Sequence, residues 1–170
     1  VWYFFHMSSD YTQKRKIRYT LYMNDTLIEN KKAKMNYEII ESFESGIELL
    51  GTEVKSLRNK QGSILGSYIT IRGGEAFLMN SEIPPFQEKN TSGEYDPKRH
   101  RKLLLNKSQI HHLSGIEQKK GLTIVPILIY NKSGKIKVNI AIVKGKKRFD
   151  KREDIKKRDS DREIRRDLSL

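Results

Sequence analysis

The chain has 170 residues, no cysteine and a formal net charge of +13 at pH 7. This length suits one domain of roughly 100 to 150 residues with flexible ends, and excludes two full cores. The lack of cysteine excludes disulfides, thiolate metal sites and a cysteine nucleophile, and it is typical of a reducing compartment, so we expect a cytoplasmic protein. Because 34 basic and 21 acidic residues occur together, the charge indicates a patterned surface, and nucleic acid is the first partner class to consider.

The first 25 residues are expected to form a poorly ordered extension. The apolar opening from Val1 to His6 is shorter than the roughly 7 to 15 apolar residues of a signal peptide. No window approaches the ~20 apolar residues of a membrane-spanning helix, so no membrane partner is expected. Because Val1 is not methionine and Met7 follows, this segment is alternatively a non-native start. Its aromatic and basic residues offer a further alternative, an additional RNA-binding arm.

The first predicted strand begins at Tyr37, where apolar residues start to alternate toward Leu49. Gly46 marks a natural position for a bulge or bend in this strand. A short helix is predicted over residues 51–58, with Thr52 as its N-cap. Its charged side presents Glu53, Lys55 and Arg58.

The strongest local signal is a β-hairpin over residues 68–79. Two β-prone runs, 68–72 and 75–79, flank Gly73 and Gly74, and a Gly-Gly pair suits a two-residue turn with positive φ angles. The prolines at 84 and 85 end this element, and residues 87–99 form a polar loop.

After the polar loop, regular structure is predicted to begin again at residues 101–105. Asn106 or Ser108 caps an amphipathic helix that ends near Gly121 and covers one side or mouth of a sheet. A second hairpin joins residues 122–130 to residues 135–143, and its return strand alternates apolar and polar positions.

These elements amount to five to seven strands and two or three short helices, mostly antiparallel. The predicted fold class is therefore mainly β with short helices: a small oligonucleotide-binding-like antiparallel barrel over residues 26–144. An open α+β sheet is the alternative.

Residues 145–170 form a charge-dense tail with few apolar residues. Its basic excess lies at the beginning, around one aromatic residue, Phe149. Cations beside an aromatic ring are typical of contact with structured RNA. Acid-before-base pairs four residues apart favour a helix, but no continuous apolar stripe supports it. We expect the tail to be disordered when free and helical when docked, or alternatively to be a solvated linker.

No catalytic or metal-binding constellation is present in the sequence. The four histidines lack ligand spacing, no serine occupies a nucleophile elbow, and no glycine-rich loop opens a helix after a strand. The sequence therefore predicts a protein that is not an enzyme, with no cofactor and no metal.

Six segments share one order and spacing with a known family. They are Asn30-Lys31-Lys32-Ala33, Tyr37-Glu38-Ile39, residues 51–58, Asp96-Pro97 with residues 101–105, Lys120-Gly121-Leu122-Thr123, and Gly145-Lys146-Lys147 with Asp150-Lys151-Arg152. Together they resemble the SmpB family, small proteins that bind tmRNA and act with it on stalled ribosomes. The resemblance covers residues 30 to about 165.

The resemblance implies a barrel that binds the tRNA-like domain of tmRNA and delivers it to stalled ribosomes for trans-translation. It places Asn30, Lys31, Lys32, Glu53, Lys55 and Arg58 on the tmRNA side. Lysine and arginine suit phosphates, and asparagine suits ribose or base edges. Glu53 either orients a neighbouring arginine or accepts from a 2′-hydroxyl; alternatively it is only an intramolecular partner of Arg58 or Lys55.

The resemblance also implies that the tail probes the empty decoding centre and mRNA channel through ribosomal RNA contacts. The residues it assigns are Gly145, Lys146, Lys147, Phe149, Asp150, Lys151 and Arg152. Phe149 stacks on a base or alternatively packs back on the barrel. A generic RNA chaperone or ribosome-associated protein is the alternative function, and an RNA-modifying enzyme is a third. A monomer, one copy per tmRNA, is expected.

Overall fold

The structure is a computed structural model that describes residues 25–87, residues 95–147 and Ser160. The predicted disordered extension, apart from Asp25, lies outside these residues. So does the tail from Arg148 onward, apart from Ser160. The domain boundaries and the tail's docked helix therefore stay predictions.

The described residues form seven strands and three helices. The strands are β1 (Thr26–Glu29), β2 (Tyr37–Ile47), β3 (Tyr68–Arg72), β4 (Glu75–Met79), β5 (Arg101–Leu104), β6 (Leu122–Lys132) and β7 (Lys135–Gly145). The helices are α1 (Ala33–Asn36), α2 (Gly51–Arg58) and α3 (Lys107–Glu117).

The strands form one antiparallel sheet in the order β1-β6-β7-β2-β5-β4-β3. The mainly β prediction with short helices is confirmed, but the sheet is open, because within the described ranges no ladder joins β3 to β1. At the β3 edge, where a closed barrel would have a further ladder, α3 lies against both β3 and β6. Glu117 of α3 accepts hydrogen bonds from the Thr70 hydroxyl at 2.7 Å and the Ile71 N–H at 3.1 Å. The helix thus occupies the edge that a closed barrel would pair.

The long β6–β7 hairpin is the centre of the sheet. Its predicted inward positions Val138, Ile140 and Ile142 are buried in the larger apolar cluster. The alternating positions Ala141 and Val143 are buried as well, in a second cluster beneath α1 and the start of β2. The hairpin is therefore covered on both faces near its base, which alternation alone did not predict.

Two register shifts interrupt the pairing of β7 with its two neighbouring strands. A register shift between Pro126 and Leu128 interrupts the β6–β7 pairing, as expected where a proline cannot donate to the ladder. A second shift lies between Ile39 and Glu41 in β2. The bulge that the sequence placed at Gly46 is wrong, because Gly46 pairs in register with Lys137.

Of three further local predictions, two are confirmed and one is wrong. Gly73 and Gly74 adopt φ angles of +56° and +76° in the β3–β4 turn, so the predicted hairpin is confirmed. Asn106 is confirmed as the cap of α3, since its side chain accepts from the Gln109 N–H at 2.8 Å. Thr52 is not the cap of α2, which begins at Gly51, because the Glu53 carboxylate accepts the Leu50 N–H at 2.8 Å instead.

Candidate nucleic-acid interface

A buried ion cluster fixes the position of α2. Glu53, in the first turn of α2, is 0% exposed. Its Oε2 lies 2.6 Å from the Arg99 Nη2, and its Oε1 accepts from the Arg99 Nε at 2.8 Å and the Arg101 Nε at 3.0 Å. One carboxylate therefore pairs with two guanidinium groups from the segment that leads into β5.

Arg101, the second arginine of this cluster, donates hydrogen bonds from all three of its guanidinium nitrogens. Arg101 Nη1 donates to the Ser81 carbonyl oxygen at 2.8 Å, and Nη2 donates to the Pro97 carbonyl oxygen at 2.8 Å. The Tyr95 hydroxyl donates to the Ile83 carbonyl oxygen at 2.7 Å and lies 3.1 Å from the Glu53 Oε1. The cluster joins α2, the end of β4 and the entry to β5, so each buried charge has partners.

The cluster changes the acidity of its members. Burial alone would raise the pKa of Glu53, but hydrogen bonds from Arg99 and the Leu50 N–H, with the charges of Arg101 and Arg99, hold that pKa below its usual value. Burial, followed by the charge of Glu53, raises the pKa of Tyr95. Glu53 is therefore ionised at neutral pH.

The predicted surface role of Glu53 needs correction. Its carboxylate has no exposed surface, so within this arrangement it cannot accept from a 2′-hydroxyl. Its partners are Arg99 and Arg101 rather than Arg58 or Lys55. Arg99, whose side chain is 29% exposed, is the neighbouring arginine that Glu53 orients.

Lys55 and Arg58 lie on the exposed side of α2. The Lys55 ammonium lies 6.0 Å from the centre of the Phe86 ring, at the outer limit for a cation–π contact. Arg58 Nη2 donates to the Gly134 carbonyl oxygen at 3.4 Å, at the tip of the β6–β7 hairpin. Both cations are therefore exposed, and each has one contact with the rest of the described chain.

The first predicted segment divides between interior and surface. Asn30 is only 6% exposed; its Nδ2 donates to the Pro126 carbonyl oxygen at 3.3 Å, and its Oδ1 accepts from the Ala33 N–H at 3.1 Å. The side-chain amide therefore bonds backbone groups at the β6 bulge and at the first residue of α1. Because these bonds are made in the interior, little of the amide is available to bind RNA. Lys31 and Lys32 are exposed.

The beginning of the tail lies beside α1. Gly145 pairs with Tyr37, and the Lys146 N–H donates to the Asn36 carbonyl oxygen at 3.0 Å. The Lys32 carbonyl oxygen accepts the Asn36 N–H at 3.0 Å, so Lys32 lies one helical turn from the residue that binds Lys146. Two segments assigned to different partners meet at this corner.

The residues predicted for the tmRNA side do not all lie together in the structure. Arg58 contacts the tip of the β6–β7 hairpin, whereas Asn36 contacts the chain just past the far end of β7. β7 has 11 residues, and at the rise of an extended strand its ends lie about 33 Å apart. The cations thus form two groups, at opposite ends of the hairpin.

Phe149, Asp150, Lys151 and Arg152 lie outside the described residues. Their predicted ribosomal contacts stay predictions.

Sequence reasoning missed the roles of Tyr95, Arg99 and Arg101. Arg99 and Arg101 are 46 and 48 positions from Glu53, so no local periodicity pairs them. The only available signal was the Asp96-Pro97 and Arg101-Lys102 segment of the family resemblance, which gave no partner for either charge.

In the part of the chain that the structure describes, no three histidine, aspartate or glutamate side chains group as a metal site would require. Within the same ranges, no helix has the length and apolar character needed to cross a membrane.

Comparisons with known proteins agree on one family. A family model described as SmpB protein matches residues 27–170. An SsrA-binding protein of Clostridium tetani is 46% identical over 145 residues, which cover 85% of this chain and 92% of that protein. Another, of Thermosipho africanus, is 51% identical over 136 residues, covering 79% and 91%.

A solved structure described as "tmRNA-SmpB: a journey to the center of the bacterial ribosome" has the same fold. It superposes with a TM-score of 0.60 at 43% sequence identity, and covers 75% of this chain and 93% of that one. The family match, the relatives and the shared fold span nearly all of the described residues. This chain belongs to the SmpB family.

Proposed function

We propose that this protein binds the tRNA-like domain of tmRNA and delivers it to stalled ribosomes for trans-translation. The observation that carries the proposal is the match to SsrA-binding proteins along more than nine-tenths of their length. The solved neighbour, described as a tmRNA-SmpB structure concerning the ribosome, supports both partners.

The surface of the body suits such a ligand. Lys31, Lys32, Lys55 and Arg58 are exposed cations, and cations supply the phosphate contacts that dominate RNA affinity. Two groups of cations at the two ends of the hairpin are suited to separate stretches of a folded RNA, since structured RNA is recognised largely by shape. Glu53 and Asn30 support this surface from the interior.

The proposed mechanism divides two tasks between two parts of the chain. Residues 26–144 hold tmRNA, and residues 145–170 probe the decoding centre and the empty mRNA channel. The tail is proposed to fold where mRNA would lie, with Lys146, Lys147, Lys151 and Arg152 at ribosomal phosphates, Phe149 on a base, and Gly145 and Asp150 shaping the segment. Neither task requires catalysis, so we propose a binding factor that acts as a monomer in the cytoplasm, where ribosomes translate.

The proposal is tested by adding the full chain to a purified translation system stalled on an mRNA without a stop codon, with alanylated tmRNA present. We expect the stalled peptide to acquire the tmRNA-encoded tag, seen as a mass increase. Controls omit the protein or replace tmRNA with alanyl-tRNA. An untagged peptide in the complete reaction would contradict the proposal. A mass change in the RNA itself would point to an enzyme instead.

A further inference from the structure

The first residues of the chain join the body beside the tip of the β6–β7 hairpin. Asp25, the first described residue, is exposed, and Thr26 pairs with Tyr130 of β6. β6 ends at Lys132, only two positions beyond that pairing. Because β1 and β6 are antiparallel, the first residue of β1 is the one closest to the hairpin tip. Residues 1–24 therefore attach to the body at this end.

The hairpin tip is basic. Lys132 and Lys135 flank its turn, and both are exposed. Arg58, which is also exposed, donates to the Gly134 carbonyl oxygen in the same turn at 3.4 Å. The Lys132 Nζ lies 2.8 Å from the Glu44 Oε2, so one of these three cations has an acidic partner. The tip therefore keeps a net positive charge.

Residues 1–24 combine basic and aromatic side chains. Their lysine and arginine residues are Lys14, Arg15, Lys16 and Arg18, and their acidic residue is Asp10. Four of the eight tyrosines of the chain also occur here, and three of them flank the basic run: Tyr11, Tyr19 and Tyr22. Cations bind phosphates, and rings between them stack on unpaired bases. This composition is therefore suited to an unpaired stretch of RNA.

The charge of the tip favours a shared ligand over a contact between the tip and residues 1–24. Like charges repel, so Arg58 and Lys135 do not attract the basic run, whereas a polyanion at the tip attracts both. Because the run is tethered at Thr26, its bases act at high effective concentration on an RNA that the body already holds. Arg18 precedes Thr26 by eight residues, so it lies within about 29 Å of the tether.

We propose that residues 1–24 are an additional RNA-binding arm, which extends the cation group at the hairpin tip. The arm binds phosphates through the bases of residues 14–18 and stacks its tyrosines on unpaired bases. The proposal rests on the proposed function. It adds a contact outside the family match, which begins at residue 27. The nucleotides bound by the arm adjoin those bound by Arg58.

The first test measures how the affinity for a transcript of the tmRNA tRNA-like domain depends on salt. Arg15→Ala combined with Lys16→Ala removes two phosphate contacts. It is expected to reduce the slope of log affinity against log salt concentration by about 2, and the affinity at least about threefold. The matched control is Lys119→Ala with Lys120→Ala, which removes the same charge at an exposed turn and is expected to leave the slope within about 0.5 of the parent value.

The second test concerns the rings of the arm. Tyr19→Ala combined with Tyr22→Ala is expected to weaken binding at least about fivefold, because stacking on the bases is lost. Tyr19→Phe combined with Tyr22→Phe keeps both rings and is expected to bind within about twofold of the parent chain. Equal weakening by the alanine and phenylalanine pairs, or by neither, would contradict stacking.

Hydroxyl-radical footprinting of the transcript locates the arm. Deletion of residues 1–24 is expected to expose nucleotides that adjoin those exposed by Arg58→Ala. They should lie apart from those exposed by Lys31→Ala with Lys32→Ala, since these two lysines belong to the cation group at the other end of the hairpin. Far-UV circular dichroism and thermal unfolding check that each variant folds.

The arm proposal is overturned if the Arg15 and Lys16 variant keeps the parent slope, if the control reduces it equally, or if the deletion exposes no nucleotides. It is also overturned if the deletion leaves RNA binding intact and abolishes binding to phosphatidylglycerol vesicles, which would assign the segment to a lipid surface. Failure of the proposed function has a different signature. In that case the parent chain binds the tRNA-like domain and an elongator tRNA alike, and the same variants test the arm on either RNA.

Discussion

Glu53→Gln will lower the free energy of unfolding by about 3 to 5 kcal/mol at pH 7, because it leaves two guanidinium groups without their counter-charge. Arg101 has no exposed side-chain surface in this cluster, so water cannot replace the lost carboxylate. Glutamine has nearly the same volume, so the substitution opens no cavity; it removes the charge and replaces one accepting oxygen with an NH2 group. Urea unfolding followed by circular dichroism measures the loss.

The matched control is Glu75→Gln. Glu75 also pairs with a cation, Lys102, but both side chains are substantially exposed. An exposed ion pair contributes about 0 to 1 kcal/mol, so this variant is expected to unfold almost as the parent does. Similar losses of unfolding free energy in both variants would show that the buried Glu53 cluster stabilises the fold no more than an exposed ion pair does.

The same cluster predicts how stability depends on pH. The pKa of Glu53 is held below its ordinary value of 4.5 in the folded chain. A depressed carboxyl pKa contributes stability above the unfolded-state pKa and loses it as the pH falls through the folded-state pKa. The parent chain should therefore lose stability below about pH 4.5 more steeply than Glu53→Gln does. Identical acid profiles for the two proteins would refute this assignment.

Lys151→Ala combined with Arg152→Ala is expected to reduce peptide tagging on stalled ribosomes at least about tenfold, while binding to the tRNA-like domain stays within about twofold. In the proposed mechanism the tail residues supply phosphate contacts on the ribosome, whereas the body supplies those to tmRNA. Tagging yield and RNA affinity are measured on the same preparations.

The control for that variant removes two charges elsewhere. Lys119→Ala with Lys120→Ala changes the net charge equally at an exposed turn after α3, and should leave tagging near the parent level. Intact tagging in the Lys151 and Arg152 variant would mean that the division of tasks between body and tail is wrong.

Features set by neighbouring residues were predictable from the sequence. Gly73 and Gly74 specify the turn between β3 and β4, alternation from Ile136 to Ile142 specifies the inward face of β7, and Asn106 specifies the start of α3. In each case the information lies within a few residues of the feature.

Features set by distant contacts were not predictable. β1 is a four-residue strand whose pairing with β6 spans about a hundred positions, too short for a periodic signal. The hydrogen bond from the Ile71 N–H at the β3 edge to Glu117 joins residues 46 positions apart. The family resemblance assigned Glu53 to the tmRNA side, and the sequence does not show that its partners are Arg99 and Arg101.

The site was predicted in part. Lys31, Lys32, Lys55 and Arg58 are exposed as their proposed role requires, whereas Asn30 is turned inward by the β6 bulge. The contact between Lys146 and Asn36 could not be predicted from the sequence, because it depends on the register between β2 and β7.

Selective binding to the tRNA-like domain distinguishes a tmRNA-binding factor from a general RNA-binding protein. The affinity of the full chain for a transcript of that domain and for an elongator tRNA is measured at two salt concentrations. Phosphate contacts alone weaken steeply and alike with salt, so we expect a preference for the tRNA-like domain that persists at the higher concentration. Equal affinities that fall together would leave only a basic RNA-binding protein and would contradict the proposed function.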